Sequence, residues 1–289
     1  MLAEVVVVTM RSVVRAGLAA LLVAGAGAAE AARKKADPAE KSAKAEPVSR
    51  DAINAAAFPE GDKPAKKAGG KKIDPLMVKV QVLLDRARFS PGAIDGRDGE
   101  NLQGALAAFA EAQGLPATKT LTKEVFEKLQ ATSAAPVATE YTITEADVAG
   151  PFVEKMPAKM EDQAALESMG YTNAREMLAE RFHMARDLLV ALNPGKPLDQ
   201  AGTVIVVAAV PPLETGKKDA GKTQKNVARI EVDKQTRQVR AFDKEGKLQA
   251  FYPASIGSEE KPAPSGSAKV EGVRFTAISH LLLDRAHLA

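Results

Sequence analysis

Three stretches of this chain carry too few large apolar side chains to join a core, and they set how the rest can fold. Residues 32–72 are dominated by Ala, Lys, Glu, Pro and Gly ("ARKKADPAEKSAKAEP", "GDKPAKKAGGKK"). Such a composition cannot bury enough surface to offset its ordering entropy, so a disordered linker is expected there. Residues 131–140 ("ATSAAPVATE") and 211–226 ("PPLETGKKDAGKTQKN") read as two shorter linkers. Three segments are left to fold as small units, at 73–130, 140–210 and 227–289. Their patterns switch between helical and strand periods, so the expected class is multidomain α+β.

Composition removes several functions. Lys and Arg number 40 against 37 Asp and Glu, a formal net charge of +3, with the basic residues mostly in the linkers. That is no basis for nucleic-acid binding. The chain has no cysteine, which removes disulfides, thiolate metal sites and a cysteine nucleophile. Its three histidines, His183, His280 and His287, are too scattered for a metal site. Neither a metal nor an organic cofactor is expected.

The N-terminus carries an address. Arg11 and Arg15 precede an apolar run from Gly17 to Ala29, followed by Ala-x-Ala at Ala29 to Ala31. A basic flank, a short apolar segment and small residues make a secretory signal peptide, expected over residues 1–31 with Met10 as a second candidate start. The run is shorter than the roughly 20 residues of a membrane span. Export to the periplasm or cell envelope follows as the expectation, with no stable span after cleavage.

The first segment reads as three helices. Leu76, Val80, Leu83, Leu84 and Ala87 recur at helical spacing, as do Leu102, Leu106, Phe109 and Ala110. Thr122 is placed to cap a third helix carrying Val125, Phe126 and Leu129. Between the first two stands "SPGAIDG", where proline presets φ and glycine permits positive φ. The run "VQVLLDRARFSPGAIDGRDGENLQGALAAFAEAQGL" resembles the peptidoglycan-binding domain of many cell-wall hydrolases and transpeptidases. The resemblance rests on Pro91, Gly92, Ile94, Asp95 and Gly96 in the turn, and it implies peptidoglycan as partner. Taken singly, Asp95 and Gly96 read as turn residues.

The second segment opens with "YTIT", closes with "GTVIVVAAV", and holds two helical stretches between. Asn173 can cap the first, with Glu176 as its reciprocal partner, and Asn193-Pro194-Gly195 ends the second. Strand, helix, helix, strand, with "ALNPG" before the last strand, resembles a LysM domain. That resemblance implies binding to the glycan strands of peptidoglycan, with Asn193, Pro194 and Gly195 on one side of the groove. Asn193 also reads as a helix-terminal residue satisfying backbone groups. The long insertion "EADVAGPFVEKMPAKMEDQAALESMGY" stands where a compact LysM has a short loop. His183 reads as a half-buried structural histidine late in a helix.

From Val227 the period becomes two: "VARIEVD", "QVRAFD" and "LQAFYPASIG", with turns at "KQTR" and "KEGK", predict a three-stranded meander. The layout resembles the opening of a YkuD-type L,D-transpeptidase domain, including a loop with Gly257, Pro264, Ser265 and Gly266. The resemblance implies transfer of stem peptides through a cysteine acyl-enzyme served by a histidine. No cysteine is present, and His280 and His287 do not align with that family. Ser265 sits in a Pro-Ser-Gly turn and reads as shaping the loop rather than as a substitute nucleophile. The strand pattern is lost after Arg274, which reads as a frameshift or premature stop. The meander would then keep an uncovered apolar face and be poorly stable.

The expected function is an exported peptidoglycan-binding protein of L,D-transpeptidase type, touching glycan strands and stem peptides and catalytically inactive as written. Two alternatives are an incomplete copy of an active transpeptidase and a non-enzymatic scaffold that binds proteins.

Overall fold

In a computed structural model, residues 48–60, 72–157, 162–163, 170–211, 227–258 and 262–269 are described. The expected signal segment, most of the first linker, residues 212–226, and His280 and His287 lie outside these residues. No described helix is long and apolar enough to cross a membrane.

Helix α1 spans Arg50–Ala55, α2 Pro75–Arg86, α3 Glu100–Ala112 and α4 Lys123–Thr132. The ends of α2 to α4 follow from local chemistry. Asp74 caps α2, with Pro75 in its first turn, and its carboxylate accepts the Leu76 amide at 2.8 Å. Thr122 caps α4 as the sequence predicts, through the Val125 amide. The buried faces are the expected ones, with Val80, Leu84, Leu106, Phe109 and Leu129 at most 1% exposed.

Strand β1 (Ala138–Thr142) pairs antiparallel with β2 (Val204–Ala208), Ala138 opposite Ala208 and Thr142 opposite Val204. Between them lie α5 (Glu145–Ala149), α6 (Ala174–Arg181) and α7 (Arg186–Leu192). The predicted Asn173 cap is present, but the return bond differs. Glu176 reaches past the cap residue to the amide and hydroxyl of Thr172. The reciprocal capping box lies instead at Thr144 and Asp147 on α5.

The meander is β3 (Arg229–Asp233), β4 (Gln238–Phe242) and β5 (Leu248–Pro253), antiparallel in that order. Its apolar face is not bare, contrary to the expectation. Helix α3 covers it: Gly104 lies against Phe251, and Phe242, Leu248 and Phe251 join the same core as Phe89 and Phe109. Covering that face removes the liability of an isolated small sheet.

The three segments are not separate bodies either. One continuous core takes buried residues from all of them, from Ile53 to Phe251. Four junctions make it so. The Arg86 guanidinium, at the end of α2, donates to the carbonyls of Ala209, Ala135 and Pro136 and to the Ser133 hydroxyl. The amide of Ile94 donates to His183 O at 2.7 Å, and Ala185 N returns a bond to Ile94 O at 2.8 Å. Ser90 N donates to Phe251 O, and Phe251 N to Arg88 O.

The fourth junction corrects the linker at its edge. Residues 50–55, inside the stretch read as disordered, form α1, capped by Ser49 and anchored by Ile53, which is fully buried. Asn54 accepts the amides of both Val137 and Ala138 and donates to Ala138 O. Lys79 on α2 holds the carbonyls of Asn54 and Ala56. One buried isoleucine and one two-ended amide order a helix too short to stand alone.

Candidate functional site

The loop 89–99 between α2 and α3 is organised from beneath by a residue that the sequence pattern does not single out. Gln81 sits on the apolar face of α2, 2% exposed. Its side-chain carbonyl accepts the amides of Asp95 (3.1 Å) and Gly96 (2.7 Å). Its amide donates to Asp95 Oδ1 at 2.8 Å and to Arg97 O at 3.2 Å. A buried polar side chain with all of its groups engaged specifies one loop conformation. The sequence shows only a glutamine flanked by valines in "VKVQVLL"; which turn it lies beneath is set by the fold.

The motif residues divide between framework and surface. Pro91, Ile94 and Gly96 are buried, and Ile94 is fully so. Gly96 has φ +71°, and a Cβ there would fall 2.7 Å from Ile73 and 2.8 Å from Val78. Only glycine meets both conditions. Gly92 and Asp95 are half-buried, with Gly92 against the Asn101 side chain. Asp95 therefore acts within the loop, accepting from Gln81 and from Arg97 N at 2.9 Å. Arg97 in turn pairs with Asp187 on α7.

Asn193 is 2% exposed, and its amide is fully engaged. It donates to Leu189 O (2.9 Å) and Val206 O (2.8 Å) and accepts from Val206 N (2.6 Å). The side chain ties the end of α7 to β2 and is closed to a sugar, so of its two readings the helix-terminal one holds. Pro194 and Gly195 beside it are exposed. His183 lies not within a helix but in the turn after α6, at φ +54°. Its Nδ1 stands 3.1 Å from both carboxylate oxygens of Asp85. That carboxylate raises the imidazole above its ordinary range, against the opposing effect of burial.

Two carboxylates between β1 and β2 in the chain, Asp147 on α5 and Glu176 on α6, have lowered pKa values. Burial pushes Asp147 up, but the Tyr141 hydroxyl, the Thr144 amide and hydroxyl and Arg181 outweigh it and leave its pKa lowered. Burial likewise opposes Glu176, and the Thr172 bonds and Arg186 again win. Both belong to interactions that fix the fold, not to a catalytic pair.

The third set of candidates is exposed. Gly257, Pro264, Ser265 and Gly266 all face solvent. The Ser265 hydroxyl is met by Lys234 Nζ, which also donates to Ala263 O at 3.1 Å. Lys234 ties β3's turn to the loop. No histidine stands at Ser265 among the described residues. Among the same residues, no cluster of three or more His, Cys, Asp or Glu could hold a metal ion.

The site that the structure builds is thus the 89–99 loop on its helical frame, braced by the segments on either side. No curated protein matches this chain. A family model described as "Putative peptidoglycan binding domain" matches residues 74–129, from the cap of α2 to the last buried leucine of α4, so it is the helical unit that is similar to this family.

Proposed function

We propose that this protein is exported to the cell envelope and binds peptidoglycan there without itself carrying out catalysis. The observation that carries the reading is the family match over residues 74–129, coincident with the helical unit whose loop Gln81 holds. Peptidoglycan binding places the protein at the cell wall, and the basic, apolar, small-residue pattern of residues 1–31 supports export as the route.

Two finer assignments complete the proposal. The β1–β2 unit is read as LysM-like, with Pro194 and Gly195 as its exposed candidates for glycan contact. The meander is read as the opening of a YkuD-type L,D-transpeptidase domain, with Gly257, Pro264, Ser265 and Gly266 in its loop. The reaction of that family requires a cysteine, and these 289 residues contain none. Binding is therefore the activity assigned to them.

The test is co-sedimentation of the purified protein with isolated sacculi, with cellulose as control. Retention on sacculi alone is expected. Equal recovery in both supernatants would overturn the proposal and favour a protein-binding scaffold.

A further inference from the structure

The motif loop is anchored twice, and the second anchor lies outside the helical unit. From beneath, Gln81 fixes residues 95–97. From the side, the turn between α6 and α7 takes hold of Ile94. His183 O accepts the Ile94 amide at 2.7 Å, and the Ala185 amide donates to Ile94 O at 2.8 Å, so the turn engages both backbone groups of Ile94. Met184 stands between them as the bridge partner of Ile94. Arg97, three residues on, pairs with Asp187 in the first turn of α7. The exposed residues of the loop, Ala93 and Gly99, flank these anchored ones.

Of the contacts between this turn and the helical unit, one changes charge near neutral pH. His183 holds a left-handed backbone, φ +54°, which a non-glycine residue keeps only where its surroundings impose it. Its Nδ1 lies 3.1 Å from each carboxylate oxygen of Asp85, whose side chain is 10% exposed near the end of α2. The Asp85 contact raises the imidazole pKa, burial opposes it, and Glu180 on α6 adds to the rise. Asp85 in turn acts on Arg86 beside it and on Tyr252 of β5, which Arg88 also faces. The arginines stay charged, and burial pushes the Tyr252 phenol up, away from neutrality. Among these groups the imidazole is the one that titrates.

We propose that the α6–α7 turn, through His183, holds the peptidoglycan-binding loop in its binding conformation, so that retention on the wall weakens when the imidazole loses its proton; the reading rests on the wall-binding function above. The protonated ring brings both a donor and a full charge to Asp85. The neutral ring keeps at most one donor there and no charge. The turn is then held less firmly on α2, and with it the two bonds that fix Ile94. The folded imidazole is raised above its ordinary value of about 6.5, so it is charged below that pH and loses its proton as pH rises through the folded value. Binding is therefore strongest on the acidic side.

The test is retention of the full chain on isolated sacculi across about pH 5.5–8.5, a window in which ordinary carboxylates stay ionised. Wild type is expected to bind about fivefold more weakly at the upper end than at the lower, the small end of typical coupling between sites. His183→Asn accepts the left-handed backbone and gives a flat profile. Asp85→Asn removes the charge that raises the imidazole, so the transition survives but moves to lower pH. A merely structural role for the pair would weaken binding without moving a midpoint. A flat wild-type profile overturns the clamp and leaves the wall function standing. So does a profile that His183→Asn leaves unchanged, or a transition that Asp85→Asn does not move. Absence of retention at every pH overturns both.

Discussion

Gln81 holds Gly96 across the motif loop: its side-chain carbonyl accepts the Gly96 amide at 2.7 Å from a helix position only 2% exposed. Gln81→Leu is nearly isosteric but leaves the amides of Asp95 and Gly96 without their partner. Buried donors left unmade cost about 1–3 kcal/mol each, so a loss of about 2–6 kcal/mol is expected for the two. Gln81→Glu keeps an acceptor for both amides but sets a carboxylate against Asp95, and is expected to fall between the two. Urea midpoints rank the three proteins, and equal midpoints for wild type and Gln81→Leu would show the loop to be held otherwise.

Arg86 makes four bonds to Ser133, Ala135, Pro136 and Ala209 and so joins α2 to both ends of the β1–β2 unit. Arg86→Met keeps the stem's packing and removes every donor. We expect a loss of about 2–4 kcal/mol, with faster proteolytic cleavage between Thr132 and Val137. Arg86→Lys rescues little, because one ammonium cannot reproduce the fork. Cleavage at the wild-type rate in Arg86→Met would contradict this role.

Much of the fold was legible where one segment's own periodicity decides it. The three helices with Val80, Phe109 and Leu129 inward, the caps at Thr122 and Asn173 and the three-stranded meander follow from spacing and cap chemistry alone. What was not legible lies between segments. Arg86 reads as a solvent-facing last-turn residue until the carbonyls it holds are placed, 47 to 123 residues away. Ile53 is a lone isoleucine in an alanine-rich stretch, and only the groove between α2 and β1 makes it core. At the candidate site, the glycines and Ile94 could be read as a turn, but Gln81 required knowing which face of α2 lies beneath that turn.

Gly104 tests the cover over the meander. A Cβ at this position would stand 3.1 Å from the Phe251 ring, which is itself 2% exposed and cannot withdraw into solvent. In Gly104→Ala the gain in helix propensity, about 1 kcal/mol, and the crowding largely offset one another. Gly104→Leu forces α3 away from β5 and is expected to cost about 1–3 kcal/mol or more. Faster amide exchange confined to β4 and β5 in Gly104→Leu would locate the damage. Unchanged exchange there would mean that the meander does not depend on α3.

His183 and Asp85 join the α6–α7 turn to α2. The folded imidazole is raised above its unfolded value of about 6.5. Its contribution is thus fully present below that pH and lost as pH rises through the folded value. His183→Asn tolerates the left-handed backbone but cannot carry the charge. The Tm gap between wild type and variant is expected to be largest near pH 6 and to narrow by about pH 9. A gap independent of pH would assign the pair to packing alone.

Asp147 sets the acid limit of the β1–β2 unit. The carboxyl is 2% exposed, accepts from Tyr141 Oη at 2.6 Å and Thr144 N at 2.8 Å, and pairs with Arg181. Its folded pKa is lowered, so the stabilisation is present above the unfolded value of about 3.9 and is lost as pH falls through the folded one. Asp147→Asn removes the charge while keeping the size. Because the Arg181 side chain is 44% exposed, the expected cost at neutral pH is about 1–3 kcal/mol, less than for a fully buried pair. Below about pH 4 the wild type should converge on the variant, as its own carboxyl takes up a proton. Thermal unfolding of both proteins across that range reads the convergence directly, and parallel curves would show that the interactions at Asp147 owe nothing to its charge.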